Sequence, residues 1–282
     1  MNTLAKALLA DTPKKGWHAE LKLGFKAIPH KTVLNERKRR GPLAVQRAFY
    51  PENDVCHIYL LHPPGGVVGG DRLDVTLNLT TDSHALLTTP GATKFYRSAG
   101  DYAIQVQDFN VEDGAVLEWL PQENIFFPGA KVKTELNLHL QGSAKAALWE
   151  IQCLGRPVIN EVFDEGCLDN HWRIYRDGRP LLIERLRADK NKLAFLSQLN
   201  GHAVSGTFIL TNVDKEVLEP LREQIVTEDH EDLAMSLIDD LLVVRYLGNS
   251  TERARSYFSE IWSQLREQCI GSTPMVPRIW NT

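Results

Sequence analysis

Long apolar runs are missing from these 282 residues, and no stretch reaches the ~20 apolar side chains that a membrane-crossing helix requires. Cysteine is sparse. The four present, Cys56, Cys153, Cys167 and Cys269, stand far apart and form no Cys-x-x-Cys pair, so a reduced, cytoplasmic chain is the simplest expectation. A strong charge of either sign is absent too: the formal net charge is −4, which argues against a nucleic-acid binder that draws its affinity from phosphate neutralisation. The basic run Arg37-Lys38-Arg39-Arg40 is the exception, and it reads as a solvated loop before a strand rather than a polyanion site.

Signatures of catalysis and nucleotide binding are also lacking. A phosphate loop needs Gly-x-x-x-x-Gly-Lys-Ser/Thr, but here Lys94 follows Ala92-Thr93 with aromatics behind it. No Gly-x-Gly-x-x-Gly fingerprint, Gly-x-Ser-x-Gly elbow or His-Glu-x-x-His pair occurs. The nine histidines are scattered, and the spacing of His57 and His62 puts them on opposite faces of a strand. Adjacent Cys56 and His57 also point apart, so spacing supplies no preformed metal site. At the N-terminus, Leu4 to Ala10 is short, broken by Lys6 and followed by Asp11, so residues 1–16 read as a mobile leader and not as a secretion signal.

What is present is an ordinary globular balance, 43% apolar and 24% charged, enough for a sizeable core. From Ala19 to about Leu186 short runs alternate apolar and polar, as in Leu21 to Phe25, Leu73 to Leu79, Ile104 to Phe109 and Val132 to Leu140. Turn signals separate them, among them Glu112-Asp113-Gly114, Phe127-Pro128-Gly129, Gln141-Gly142-Ser143, Asp164-Glu165-Gly166 and Arg176-Asp177-Gly178. The spacing predicts a mainly β body of many short strands in stacked or coiled sheets, with no fixed repeat period visible.

Helices are expected only after residue 187. Ala188 to Leu199 aligns Leu193, Leu196 and Leu199 before Gly201, and Val217 to Ile225 is interrupted by Pro220. Glu252 to Cys269 carries Ala254, Tyr257, Phe258, Ile261, Trp262, Leu265 and Cys269 on one face, with Ser250 or Thr251 to cap it and Gly271 beyond its end. Between the last two, Leu241 to Leu247 reads as a buried strand.

The most specific feature is His62-Pro63-Pro64-Gly65-Gly66-Val67-Val68-Gly69-Gly70-Asp71. Four glycines within six residues specify a shaped turn that side chains would block, because glycine tolerates positive φ and close backbone approach. Thr88-Thr89-Pro90-Gly91-Ala92-Thr93-Lys94-Phe95-Tyr96-Arg97-Ser98 follows in the same style. Carboxylates inside apolar strands, at Glu118, Glu150 and Glu184, are the second feature. A buried carboxylate is costly unless paired, hydrated or metal-bound. Arg185 and Arg187 are candidate partners; otherwise such groups line a water-filled passage whose weak oxygen ligands let a divalent ion move onward.

The two glycine segments, with Gly41 to Glu52 upstream, resemble the urease accessory protein UreD family (UreH in some systems). The likeness continues through Leu117 to Glu123, Leu154-Gly155-Arg156-Pro157, Arg176 to Leu182 with Glu184 to Leu186, and Pro277-Arg278-Ile279-Trp280. It covers nearly the whole chain from Trp17 and implies one UreD-like β-rich domain over residues 17–282. It further implies a non-enzymatic scaffold that binds urease apoprotein and a complex of UreF with the GTPase UreG. No tightly bound cofactor is implied, only nickel in transit through an internal tunnel. Asp71, Thr93, Glu150 and Glu184 fall in or beside the matching segments and are carried over as tunnel-lining candidates. Gly65, Gly66, Gly69, Gly70 and Gly91 are carried over as structural positions. The alternative is a carbohydrate-binding module or uncharacterised enzyme, with the Gly-Gly segments and Trp119 forming a sugar cleft.

Overall fold

The alternation read from the sequence becomes two sheets wound from one chain. The computed structural model describes residues 16–189, 191, 194–195, 199–227 and 232–281, so the Leu4 to Ala10 run lies outside the described residues. Strands β1 (His18–Ile28), β2 (Lys31–Arg40) and β3 (Ala44–Val45) come first. Next are β4 (Cys56–Leu61), β5 (Arg72–Leu79), β6 (His84–Thr88), β7 (Thr93–Phe95), β8 (Ala103–Val111) and β9 (Val116–Trp119). They are followed by β10 (Asn124–Phe126), β11 (Lys131–Leu140), β12 (Lys145–Arg156), β13 (Glu161–Val162), β14 (Cys167–Arg176) and β15 (Arg179–Asp189). The chain continues through β16 (Val204–Leu210), α1 (Lys215–Thr227), β17 (Leu233–Ile238), β18 (Leu241–Gly248) and α2 (Thr251–Leu265).

A seven-stranded sheet runs β15-β14-β11-β8-β5-β1-β2, and an eleven-stranded sheet has the path β17-β18-β16-β12-β9-β6-β4-β3 with β7, β10 and β13 attached. Between β4 and β14 the chain alternates sheets, so that β5, β8, β11 and β14 stack in parallel in one and β4, β6, β9 and β12 in the other. The result is a coil of sheet. Its turns are unequal: the register Cys56–Ala85–Leu117–Ala146 advances by 29, 32 and 29 residues, and Leu73–Gln105–Thr134–Asn170 by 32, 29 and 36. That irregularity is why no fixed repeat is visible in the sequence.

The two sheets face each other across one apolar core, and α1 and α2 cover the far side of the larger sheet through a second. Strand β12 is therefore buried on both faces. Ala146 and Leu148 enter the inter-sheet core, whereas Ala147, Trp149 and Ile151 enter the helix-side core. Helix α2 buries Ala254, Phe258, Ile261, Trp262 and Leu265, the stripe expected from its period, and the Ser250 side chain accepts from Arg253 N at 3.1 Å as its cap. A π-helical turn, Arg266–Ile270, extends it to Gly271, whose φ of +96° closes the end. Helix α1 accommodates Pro220 in its second turn, and Asp214 caps it at Val217 N, 2.9 Å away.

Two local expectations are corrected. The Arg37 to Arg40 run is no loop. It ends the edge strand β2, where exposed basic side chains discourage a second sheet from pairing. Of the helix expected over 188–199, Ala188 and Asp189 instead finish β15, and Leu193 and Leu196 lie outside the described residues. Among the described residues, no helix is long and apolar enough to cross a membrane.

Candidate functional site

The two glycine segments dock on each other. Val67 N donates to Lys94 O at 2.7 Å, and Tyr96 N to Val67 O at 2.8 Å. That contact leaves no room for side chains around it. A Cβ on Gly66 would sit 2.1 Å from the Tyr96 ring, and one on Gly69 would sit 2.1 Å from Ser98 Oγ and 2.6 Å from Asp101 O. Gly65 and Gly70 instead hold φ of +77° and +98°, which glycine adopts without strain. Gly91 has neither constraint, since nothing lies within 4 Å of its Cβ position. Asp71 ties the end of the turn down: its carboxylate accepts from Trp17 N at 2.9 Å and from Val68 N at 3.0 Å.

Behind this turn, between the sheets, lie two cavities. The smaller, about 40 Å³, is walled by His62, Thr93, Gln107, Trp119, Asn124 and Glu150 with apolar neighbours. The larger, about 390 Å³, is walled by Glu150, Gln152, Asn170, Trp172, Glu184 and Arg245 together with parts of β16 and β18. Glu150 belongs to both. It reaches the interior because it shares the parity of Ala146 and Leu148 on β12. Thr93 is positioned by β7, whose amide at Thr93 donates to Glu123 O at 2.9 Å. Thr93 and Glu150 thus meet at the small cavity, and Glu150 and Glu184 meet at the large one. Asp71 lines neither.

The three strand carboxylates have different surroundings. Glu118, fully buried, faces Arg266 (Nη2–Oε1 2.8 Å and Nε–Oε2 3.0 Å) and accepts from Trp262 Nε1 at 2.6 Å. His84 Nε2 lies 2.7 Å from its Oε1. Burial pushes the Glu118 carboxyl up, but the His84 hydrogen bond and the charges of His84 and Arg266 outweigh this and bring it to about 2. Glu184 pairs with Arg245 across the two sheets, whereas Arg185 and Arg187 turn to Asp169. Glu150 is 4% exposed and has no cationic partner among the described residues. Its Oε2 accepts from Trp172 Nε1 (2.7 Å), Asn170 Nδ2 (3.0 Å) and Gln152 Nε2 (3.0 Å), all neutral donors, and burial pushes its carboxyl upward.

Other polar groups share this interior. Gln107 Oε1 and Gln152 Oε1 are buried without hydrogen-bond partners. The buried thiols are pushed up, Cys56 and Cys269 to about 11 and Cys153 to about 12, so they stay protonated at neutral pH. Among the described residues, no group of three or more His, Cys, Asp or Glu side chains is arranged to hold a metal ion. Trp119 is 2% exposed and lies between the sheets, so it offers no platform for stacking a sugar, and the cleft expected around it is absent. The basic partners Arg245 and Arg266 escaped the sequence reading because both come from elements more than sixty residues away from the carboxylates they meet.

The sequence profile of the UreD urease accessory protein matches residues 18–281. The chain belongs to the UreD family. The "Urease accessory protein UreD" of Alcanivorax borkumensis is 48% identical over 274 residues, covering 95% of this chain and 93% of that protein. The protein of the same name from Citrobacter koseri is 46% identical over 271 residues, covering 96% and 94%. That of Klebsiella aerogenes is 42% identical over 269 residues, covering 95% and 98%. Membership places the chain among proteins of urease maturation.

Proposed function

We propose that the chain is a non-catalytic cytoplasmic scaffold of urease maturation. It binds urease apoprotein and a UreF–UreG complex, and it lets nickel pass between its sheets. The observation that carries this reading is Glu150, a carboxylate at the junction of two cavities with three neutral donors and, among the described residues, no counter-ion. A buried anion of this kind lacks a positive charge, and a divalent cation in transit supplies one. Glu184 stands further along the larger cavity as an oxygen ligand already balanced by Arg245, and Thr93 offers a hydroxyl in the smaller one. Oxygen ligands hold a borderline cation weakly enough to release it, and the protonated thiols do not compete.

Nickel here is cargo and not a resident cofactor. The nucleotide chemistry belongs to UreG, consistent with the missing phosphate loop. Exposed apolar side chains at Val158, Ile159 and Val162 form the kind of surface that a partner covers.

The test is co-expression of the chain with urease subunits, UreF and UreG. Glu150→Gln is scored separately for what co-purifies and for nickel in the urease produced. Assembly is expected to persist while nickel falls. Full nickel loading by Glu150→Gln would overturn the transit reading, and loss of assembly in step with nickel would make Glu150 a structural group.

A further inference from the structure

Among the described residues, His62 is the one imidazole in the wall of the small cavity. It follows β4 directly and precedes two prolines whose fixed φ angles hold the chain there; Gly65 N closes the turn onto its carbonyl at 3.3 Å. Its ring takes part in no hydrogen bond or ion pair with the described residues, although it lines the same cavity as Glu150. A second polar group points to the same space: Gln107, 4% exposed, lines the cavity with an unpartnered Oε1.

About 40 Å³ holds roughly three waters, given that one water needs ~10–15 Å³ of such volume. An octahedral aquo ion carries about six. A cation entering the cavity therefore sheds part of its shell and takes ligands from the wall. Those available include His62 nitrogen, the Thr93 hydroxyl, Gln107 Oε1 and the Glu150 carboxylate, with the side-chain oxygens of Thr89, Gln105 and Asn124 also in the wall. All except His62 are oxygen ligands, which suit Mg²⁺ as well as Ni²⁺, whereas imidazole favours nickel. Mg²⁺ also dehydrates reluctantly and gains little from a nitrogen ligand.

We propose that His62 selects nickel over magnesium in this cavity, an inference that rests on the transit reading above. A neutral imidazole nitrogen offers a lone pair that suits a borderline cation better than a hard one. Without this ligand the passage would be an all-oxygen channel in which an abundant hard cation competes directly with the cargo.

The experiment uses the purified complex of the full chain with urease apoprotein, UreF and UreG. Nickel per urease active site is measured at fixed Ni²⁺ while Mg²⁺ is raised from the lowest level that supports nucleotide hydrolysis. His62→Gln keeps an oxygen ligand in place and is expected to assemble but to deliver nickel more slowly even at low Mg²⁺, so each form is scored against its own delivery at the lowest Mg²⁺. Its delivery should be halved at about one-tenth of the Mg²⁺ concentration that halves wild-type delivery, or less. Equal Mg²⁺ sensitivity in variant and wild type would overturn the selection proposal. The passage itself is judged separately by Glu150→Gln in the same assay, so the two failures are distinguishable. Should His62→Gln not assemble, the wild-type complex decides: delivery should survive about a thousand-fold excess of Mg²⁺ over Ni²⁺, and its collapse there would refute selection.

Discussion

Removing Arg266 should detach the helical layer from the larger sheet. The guanidinium is fully buried and reaches Glu52 (Nη1–Oε2 2.5 Å, Nη2–Oε1 3.0 Å), Glu118 and the Thr273 carbonyl (2.5 Å), while lying 5.0 Å over the Trp262 ring. Arg266→Ala leaves two carboxylates buried together, with, among the described residues, only His57 beside Glu52 and His84 beside Glu118 to offset them. Breaking a buried ion pair from one side costs about 3–5 kcal/mol. Here two pairs and a packed aromatic contact are lost, so a value near the upper end, about 5 kcal/mol, is expected, against a total stability of roughly 5–15 kcal/mol. Arg266→Met with Glu52→Gln and Glu118→Gln removes the stranded charges as well, and should recover at least half of the loss. Urea unfolding followed by tryptophan fluorescence reads this directly, because Trp262 sits beneath the guanidinium. The pH dependence has a definite sign. Glu118 is depressed in the fold from 4.5 to about 2, so its contribution is present above the unfolded value and is lost as pH falls from 4.5 toward 2. Glu52, depressed through its His57 and Arg266 hydrogen bonds against the opposing effect of burial, adds in the same direction. Arg266→Ala should flatten that acid limb. A cost below about 1 kcal/mol, or a triple variant no more stable than the single one, would refute the assignment of Arg266 as the centre of this attachment.

Glu150 should behave oppositely to Glu118. Burial raises its carboxyl above 4.5, so its ionisation opposes folding as pH rises above the unfolded value, and Glu150→Gln is expected to be more stable than wild type near pH 7 yet equal to it near pH 4. Thermal melts at the two pH values check this, and equal stability at both would show that the carboxylate is compensated after all. Among the glycines, Gly69→Ala meets Ser98 Oγ and the Asp101 carbonyl and should cost about 1–3 kcal/mol with a fall in soluble yield, whereas Gly91→Ala meets nothing and should be silent. A silent Gly69→Ala would mean that the docked turn yields freely.

Much of the architecture was legible in one dimension. The Val132 to Leu140 run predicted β11, Leu241 to Leu247 predicted β18, and the stripe from Ala254 to Leu265 predicted α2 with its Ser250 cap, because each follows from a local period and a local cap. The clustering of glycines around Val67 was legible as a shaped turn, though the reason for Gly66 and Gly69, the Tyr96 ring and Ser98, lies about thirty residues away. Of the interior carboxylates, sequence placed all three in apolar strands without separating them. Glu118 meets Arg266 from the C-terminal turn, Glu184 meets Arg245 from the opposite sheet, and Glu150 meets no cation among the described residues.

Strand β8 shows where local pattern stops. Its alternation, Ile104-Gln105-Val106-Gln107, invites placing Val106 inside and the glutamines outside. The fold buries Gln105 (8% exposed) and Gln107 (4%) with Phe109, while Val106 on the other face is only partly buried. A one-residue slip reverses every side chain in a strand, and here the register is set by hydrogen bonds to β5 and β11 on either side. Sequence by itself determined most of the strands and the turns between them, the helices around Val217 to Ile225 and Ala254 to Leu265, and the glycine-shaped segment, because these depend on neighbours within a few residues. Only the tertiary structure decided which polar groups face the interior, and which of them lack a partner there. Those outcomes depend on register and on charges brought together from distant parts of the coil.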